Sequence, residues 1–138
     1  MFAVIRIRGK VNLKYEIKDT FKMLRLSRVN HCVLIRKDPS LEGMVRKVKD
    51  WVTWGEINDD TLRKMVTKRG RLPGDKEIPS KDVDSVISKI KKNEETGIKQ
   101  VFRLSPPVKG HGLIKHPYPR GALGYRGDKI NELIERMI

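Results

Sequence analysis

Three short runs of β-forming residues, separated by two stretches whose apolar residues recur at helical spacing, fill the first 57 positions and leave few folds open to them. Phe2 to Arg8 alternates in part, with Ala3, Ile5 and Ile7 on one side and Arg6 and Arg8 on the other, until Gly9 breaks it. That pattern predicts a strand with one buried face. Ile17, Thr20, Phe21 and Leu24 stand at i, i+3, i+4 and i+7 with acids at Glu16 and Asp19, as in an amphipathic helix. Cys32 to Ile35 reads as a second strand. Leu41, Met44, Val45 and Val48 mark a second helix that Pro39 and Ser40 can start, and Trp51 to Ile57 reads as a third strand. In this last strand Val52 and Trp54 fall on one side, and Trp51, Thr53 and Gly55 on the other. The expected class is α+β with a β-α-β-α-β core. Crossover connections would put both helices on one face of a small sheet and leave the other face free to meet a partner.

Residues 58–138 read as an extension packed on this core in a single structural unit, with 1–57 as the core itself. Asn58 can cap a helix that carries Asp59 and Asp60 in its first turn, Leu62, Met65 and Val66 on its apolar side, and an end near Gly70. After a turn-rich stretch from Leu72 to Pro79, Ser80 is a candidate cap for a helix buried through Val83, Val86, Ile87 and Ile90. Val101 to Leu104 fits a short strand. A last helix from about Gly127 presents Ile130, Leu133, Ile134 and Met137.

Charge then narrows the function. The 138 residues hold 31 Lys and Arg against 17 Asp and Glu, a formal net charge of +14 that repels itself unless a polyanion neutralises it. From Glu56 to Glu95 ten basic residues nearly balance nine acidic ones, so the excess lies in the flanks. Thr96 to Gly127 contains no acid, yet carries Lys99, Arg103, Lys109, Lys115, Arg120 and Arg126, two of the three histidines and six of the eleven glycines. Within this basic Gly/Pro-rich loop, prolines stiffen the backbone, while glycines let it approach a phosphate chain closely. Arg120 and Arg126 suit phosphate bridging or base stacking, Lys109 and Lys115 add compact charge, and His111, His116, Tyr118 and Tyr125 offer flat faces to unpaired nucleotides.

A second acid-free stretch between Asp19 and Asp38 supplies Lys22, Arg25, Arg28, Asn30, His31, Arg36 and Lys37, and the second helix adds Arg46, Lys47 and Lys49 on its outer side. The bland alternative is a set of solvated surface cations. It is weakened by the loss of every acid over some thirty residues, which is costly without an anionic partner. Trp51 and Trp54 are either stacking platforms or core, and core is favoured for at least one. Cys32 is the only cysteine, which excludes an intramolecular disulfide or a multi-thiolate metal site and fits a reducing compartment. The loop histidines have no neighbouring carboxylate or thiolate with which to bind a metal. No phosphate-binding glycine loop or paired buried carboxylates appear, so neither a cofactor nor catalysis is expected. Arg6 and Arg8 interrupt the first apolar run well short of a membrane span, and a cytoplasmic location is expected. Charge alone also permits a duplex-DNA-binding protein, although no recognition-helix motif supports one.

The segment Leu24-Arg25-Leu26-Ser27-Arg28-Val29-Asn30-His31-Cys32-Val33, followed by Asp38-Pro39 and Gly43-Met44-Val45-Arg46-Lys47-Val48, resembles ribosomal protein L thirty of the large subunit in order and spacing. The resemblance to the bacterial form covers about residues 1–57 and implies a ferredoxin-like fold. The remainder resembles the longer archaeal form and its eukaryotic counterpart, called L seven. There, a pattern like Leu104-Ser105-Pro106-Pro107 and Gly110-His111-Gly112 precedes the final helix. A start close to the first strand favours the archaeal type. The resemblance implies a structural protein that binds large-subunit ribosomal RNA near the 5S rRNA, with neighbouring ribosomal proteins as further partners and no catalytic role.

Overall fold

The computed structural model describes all 138 residues. Its first half follows the expected order: β1 (Phe2–Arg6), α1 (Tyr15–Met23), β2 (His31–Ile35), α2 (Pro39–Lys47) and β3 (Val52–Glu56). The Asp38 carboxylate caps α2 by accepting from the Ser40 N–H at 3.1 Å, with Pro39 in the first turn, where its missing N–H costs nothing. α3 (Asp59–Arg69) is capped by Asn58, whose Oδ1 accepts from the Thr61 N–H at 2.8 Å. A small hairpin of β4 (Arg71–Leu72) and β5 (Lys76–Glu77) occupies the turn-rich stretch, followed by α4 (Val83–Lys92), β6 (Val101–Arg103), β7 (Gly124–Tyr125) and α5 (Ile130–Met137). The start of α4 departs from expectation. Asp82, not Ser80, is its N-cap, because residues 80–82 form a preceding turn.

The main sheet has the order β6-β2-β1-β3-β7, with β1 antiparallel to both neighbours and β7 parallel to β3. Of the two strand-helix-strand units, only β2-α2-β3 joins parallel strands, and β1 lies between them. The expectation of two crossovers was therefore wrong for the first unit, whose strands pair directly. Both helices nevertheless share one face. Phe2, Val4, Val33, Ile35 and Val52 of the sheet pack there against Ile17, Phe21, Leu24 and Val45.

The opposite face is not free, as the β-α-β-α-β pattern alone suggested. Ala3, Ile5, Ile7 and Cys32 are covered by Leu62, Met65 and Val66 of α3, Val83 and Val86 of α4, and Ile130, Leu133, Ile134 and Met137 of α5. Residues 58–138 thus close the second hydrophobic layer, and β6 and β7 extend both edges of the sheet. With helices on both faces, every residue of β1 is buried, which overturns the one-faced reading of that strand. Arg6 is only 1% exposed. Its guanidinium donates to the carbonyls of Leu26 at 2.7 Å, Arg8 at 2.9 Å and Gly9 at 3.3 Å, and lies 3.9 Å from the Phe21 ring centroid. Burying this charge is tolerable because those carbonyls satisfy it, and in return it fixes the loops at that end of the sheet. Trp51 also differs from expectation. It precedes β3 and packs edge-on against Phe21, on the same side as Val52 and Trp54, so both tryptophans contribute to this layer. Burial pushes the Cys32 thiol up to about 12 and leaves it inert.

Candidate nucleic-acid interface

The sheet register gathers one end of the molecule. Arg6 stands opposite Val52, His31 opposite Arg103, and the Asn30 N–H donates to the Arg6 carbonyl at 2.8 Å. Asn30 holds a left-handed φ of +67°, a conformation asparagine tolerates better than most residues, and this turn brings the chain into β2. Residues 105–127 run across the same end. The Ser105 N–H donates to the Met137 carbonyl, the Val108 N–H donates to the Arg136 carbonyl, and the Arg136 guanidinium reaches the Val108 and Gly110 carbonyls at 3.2 Å. Farther along, the Ala122 N–H donates to Leu113, Leu123 to His116 and Tyr118 to Leu123. Gly121 is needed where this segment doubles back, since a Cβ there would stand 1.9 Å from the His116 carbonyl oxygen.

The two acid-free segments meet at Asn30 and His111, whose Oδ1 and Nε2 lie 3.2 Å apart. His31 is held below its ordinary pKa by burial first, then by Arg103, Arg28, Arg6 and Lys10. His111 is likewise lowered by burial, then by Arg126 and Arg136. Both imidazoles are thus kept neutral inside a ring of cations, and the buried Nδ1 of each has no hydrogen-bond partner.

Not every expected contact residue is available on this surface. The Arg126 guanidinium donates to Thr53 Oγ1 and to the Ala122 carbonyl, both at 2.8 Å, and lies 5.3 Å from the Tyr118 ring centroid, so it locks the loop to β3. Lys37 is ion-paired with Glu56 and sits over the Phe2 ring, while Arg46 faces Glu42 at 3.9 Å. Arg25, Arg28, Arg36, Lys47, Lys49, Lys109, Lys115 and Arg120 are exposed and have no carboxylate partner. His116 and Tyr118 are half-buried in the loop fold, whereas Tyr125 stays exposed. Arg36, Lys37, Arg46, Lys47, Lys49 and Tyr125 belong to β2's far end, α2 and the β7 edge rather than to the Asn30–His111 junction.

One group escaped the sequence reading except for its member Lys22, which lies in the second acid-free stretch. Lys10, Lys18 and Lys22 line a cavity of about 250 Å³ with Ser27 and the buried Arg6, and no acid borders it. The signal was present in the four-residue spacing of Lys10, Lys14, Lys18 and Lys22, which places the last two on one side of α1.

A family profile described as Ribosomal protein L30p/L7e matches residues 2–52. The large ribosomal subunit protein uL30 of Methanosphaera stadtmanae is 45% identical over 152 aligned positions, covering 100% of both chains. The protein of the same name from Methanococcus maripaludis strain S2 is 47% identical, and that from Methanoculleus marisnigri 44%, each covering 99% of both chains. The chain belongs to the ribosomal protein L30p/L7e family. This is a family of structural ribosomal proteins rather than enzymes, and the α+β fold agrees with it. These archaeal L30p/L7e relatives match the whole chain, so the α3-to-α5 layer and the loop fall inside the shared length, beyond the stretch the profile covers.

Proposed function

We propose that the chain is a structural constituent of the large ribosomal subunit that binds ribosomal RNA near the 5S rRNA, supports translation without catalysing it, and works in the cytoplasm beside other ribosomal proteins. Its relatives are large-subunit proteins by name. One observation carries the RNA-binding reading: the two segments that lack acids, far apart in sequence, converge on one end of the sheet and are joined there through Asn30 and His111. At that end Arg103 is paired with Asp75 at 3.6 Å, while Arg28 and Lys109 are exposed with no carboxylate partner. Their role is to replace counterions between RNA strands that would otherwise repel, while the two-layered core fixes their spacing. Arg25, Arg28, Lys109, Lys115 and Arg120 are the proposed phosphate contacts, with Lys10, Lys18 and Lys22 added to them. Asn30, His31, His111, His116, Tyr118 and Arg126 hold that surface in shape. Arg36, Lys37, Arg46, Lys47, Lys49 and Tyr125 form a second contact area. We read residues 1–57 as the part shared with the bacterial form and 58–138 as the archaeal and eukaryotic extension.

The test is sedimentation of tagged full-length protein from cell lysate through a high-salt gradient. About one copy per large subunit is expected. Release into the soluble fraction, or enrichment on duplex DNA, would overturn the reading.

A further inference from the structure

At the β7 edge, a cleft of about 250 Å³ opens between α2 and the sheet. Trp54 and Phe2 border it from the sheet, Tyr125 from β7, and Glu42 and Arg46 from α2. The parallel register sets Trp54 beside Tyr125, and their ring centroids lie 6.2 Å apart at 48°. Phe2 meets Tyr125 edge-on, also at 6.2 Å. Tyr125 nevertheless remains 52% exposed, a large aromatic side chain left open on a short edge strand.

We infer that this cleft receives one unpaired RNA base, stacked on Tyr125 and Trp54 beneath the Arg46 guanidinium. Deepening the ribosomal-RNA reading above, the inference rests on it. A flat heteroaromatic ring suits a slot with aromatic rings on one side and a planar cation on the other. Arg46 is 75% exposed and only loosely held by Glu42 at 3.9 Å, so it is free to turn onto a ring. The Glu42 carboxylate is an acceptor for an exocyclic amino group, which gives the slot a polar end. Lys47 and Lys49 are exposed with no carboxylate partner, and the phosphates flanking a captured base would supply their countercharge. A paired base is already stacked in its helix, so the occupant must come from a bulge, loop or end.

The test uses full-length protein carrying Trp51→Phe, which leaves Trp54 as the sole tryptophan. Two probes are added: a hairpin RNA with one bulged purine, and the same hairpin fully paired. The expected result is that the bulged hairpin quenches Trp54 emission and binds about tenfold more tightly than the paired one. Tyr125→Ala abolishes that preference and most of the quenching, and Tyr125→Phe retains both. Equal binding of the two hairpins with unchanged Trp54 emission would overturn the base site while leaving RNA binding intact. Failure of both hairpins to bind would overturn the site together with the reading beneath it. Quenching by RNA-free large-subunit proteins, but not by the bulged hairpin, would assign the cleft to a protein neighbour instead and overturn the proposal.

Discussion

The near-neutral middle of the chain and the basic loop hold their charges in different ways. In the middle, Arg63 pairs with Asp84 at 2.9 Å, Lys64 with Glu135 at 2.8 Å and Lys91 with Asp59 at 2.9 Å. The loop has no acids of its own, and only Lys99 and Arg103 at its start reach one, Asp75 of the β4–β5 hairpin. It is held instead by backbone hydrogen bonds, by Arg126 turned inward and by the Asn30–His111 contact, which leaves Lys109, Lys115 and Arg120 facing water. The difference teaches that a cation's position decides its use more than its number does. The middle pairs part of its charge with acids of its own and of α5, and the loop fixes a backbone so as to present cations.

If the loop is built before any partner arrives, substitutions in its scaffold must lower the stability of the free protein. The largest effect expected is from Gly121→Ala, whose Cβ would press on the His116 carbonyl; a loss of about 3 kcal/mol in urea unfolding is predicted. Arg126→Ala removes charged hydrogen bonds to Thr53 and Ala122 and should cost about 2 kcal/mol, whereas Arg120→Ala should leave the melting temperature unchanged. Asn30→Gly keeps the left-handed turn but deletes the link to His111; a loss of about 1 kcal/mol is expected by the same assay. In the middle region, by contrast, a double-mutant cycle on the exposed Arg63–Asp84 pair should return no more than about 0.5 kcal/mol. An equally large value there would erase the distinction between the two regions.

Acid adds a check on the junction. Folding depresses the pKa of His31 and His111, so the unfolded chain takes up protons near its ordinary value of 6.5 that the folded chain still refuses. Their contribution is therefore complete above that pH and lost as the pH falls below it. The melting temperature should drop between pH 7.5 and 5.5, and His31→Gln with His111→Gln should flatten that part of the curve. An unchanged slope would remove the two histidines from the account.

The sequence was most legible where periodicity and charge carry the information. The β-α-β-α-β order, the cap at Asn58, and the acid-free segments all stand in it plainly, because each depends on neighbours in the chain. What it hid depends on long-range pairing. The apolar stripes of α3, α4 and α5 were visible, but not that together they close the face expected to be open. β7 is two residues long, too short for any periodic signal, and exists through its pairing with β3. Arg6 and Arg126 read as surface cations until carbonyls from distant loops converge on them. Gly55 shows the same limit: a Cβ there would lie 2.1 Å from the Gly127 carbonyl oxygen, a closeness created only when the end of the chain docks on β3.

The most direct test of position against number compares two triple variants, Lys109, Lys115 and Arg120 changed to Gln in one, and Lys81, Lys89 and Lys92 changed to Gln in the other. Each lowers the formal charge from +14 to +11, that is 14 minus 3. The measurement is affinity for large-subunit ribosomal RNA across a salt series. The loop variant should lose more than tenfold at low salt and flatten the log-log slope by about 2, at roughly 0.7 to 0.9 per phosphate contact, while the middle variant stays close to the unaltered protein. Equal losses in both would mean that only total charge matters and would contradict the account.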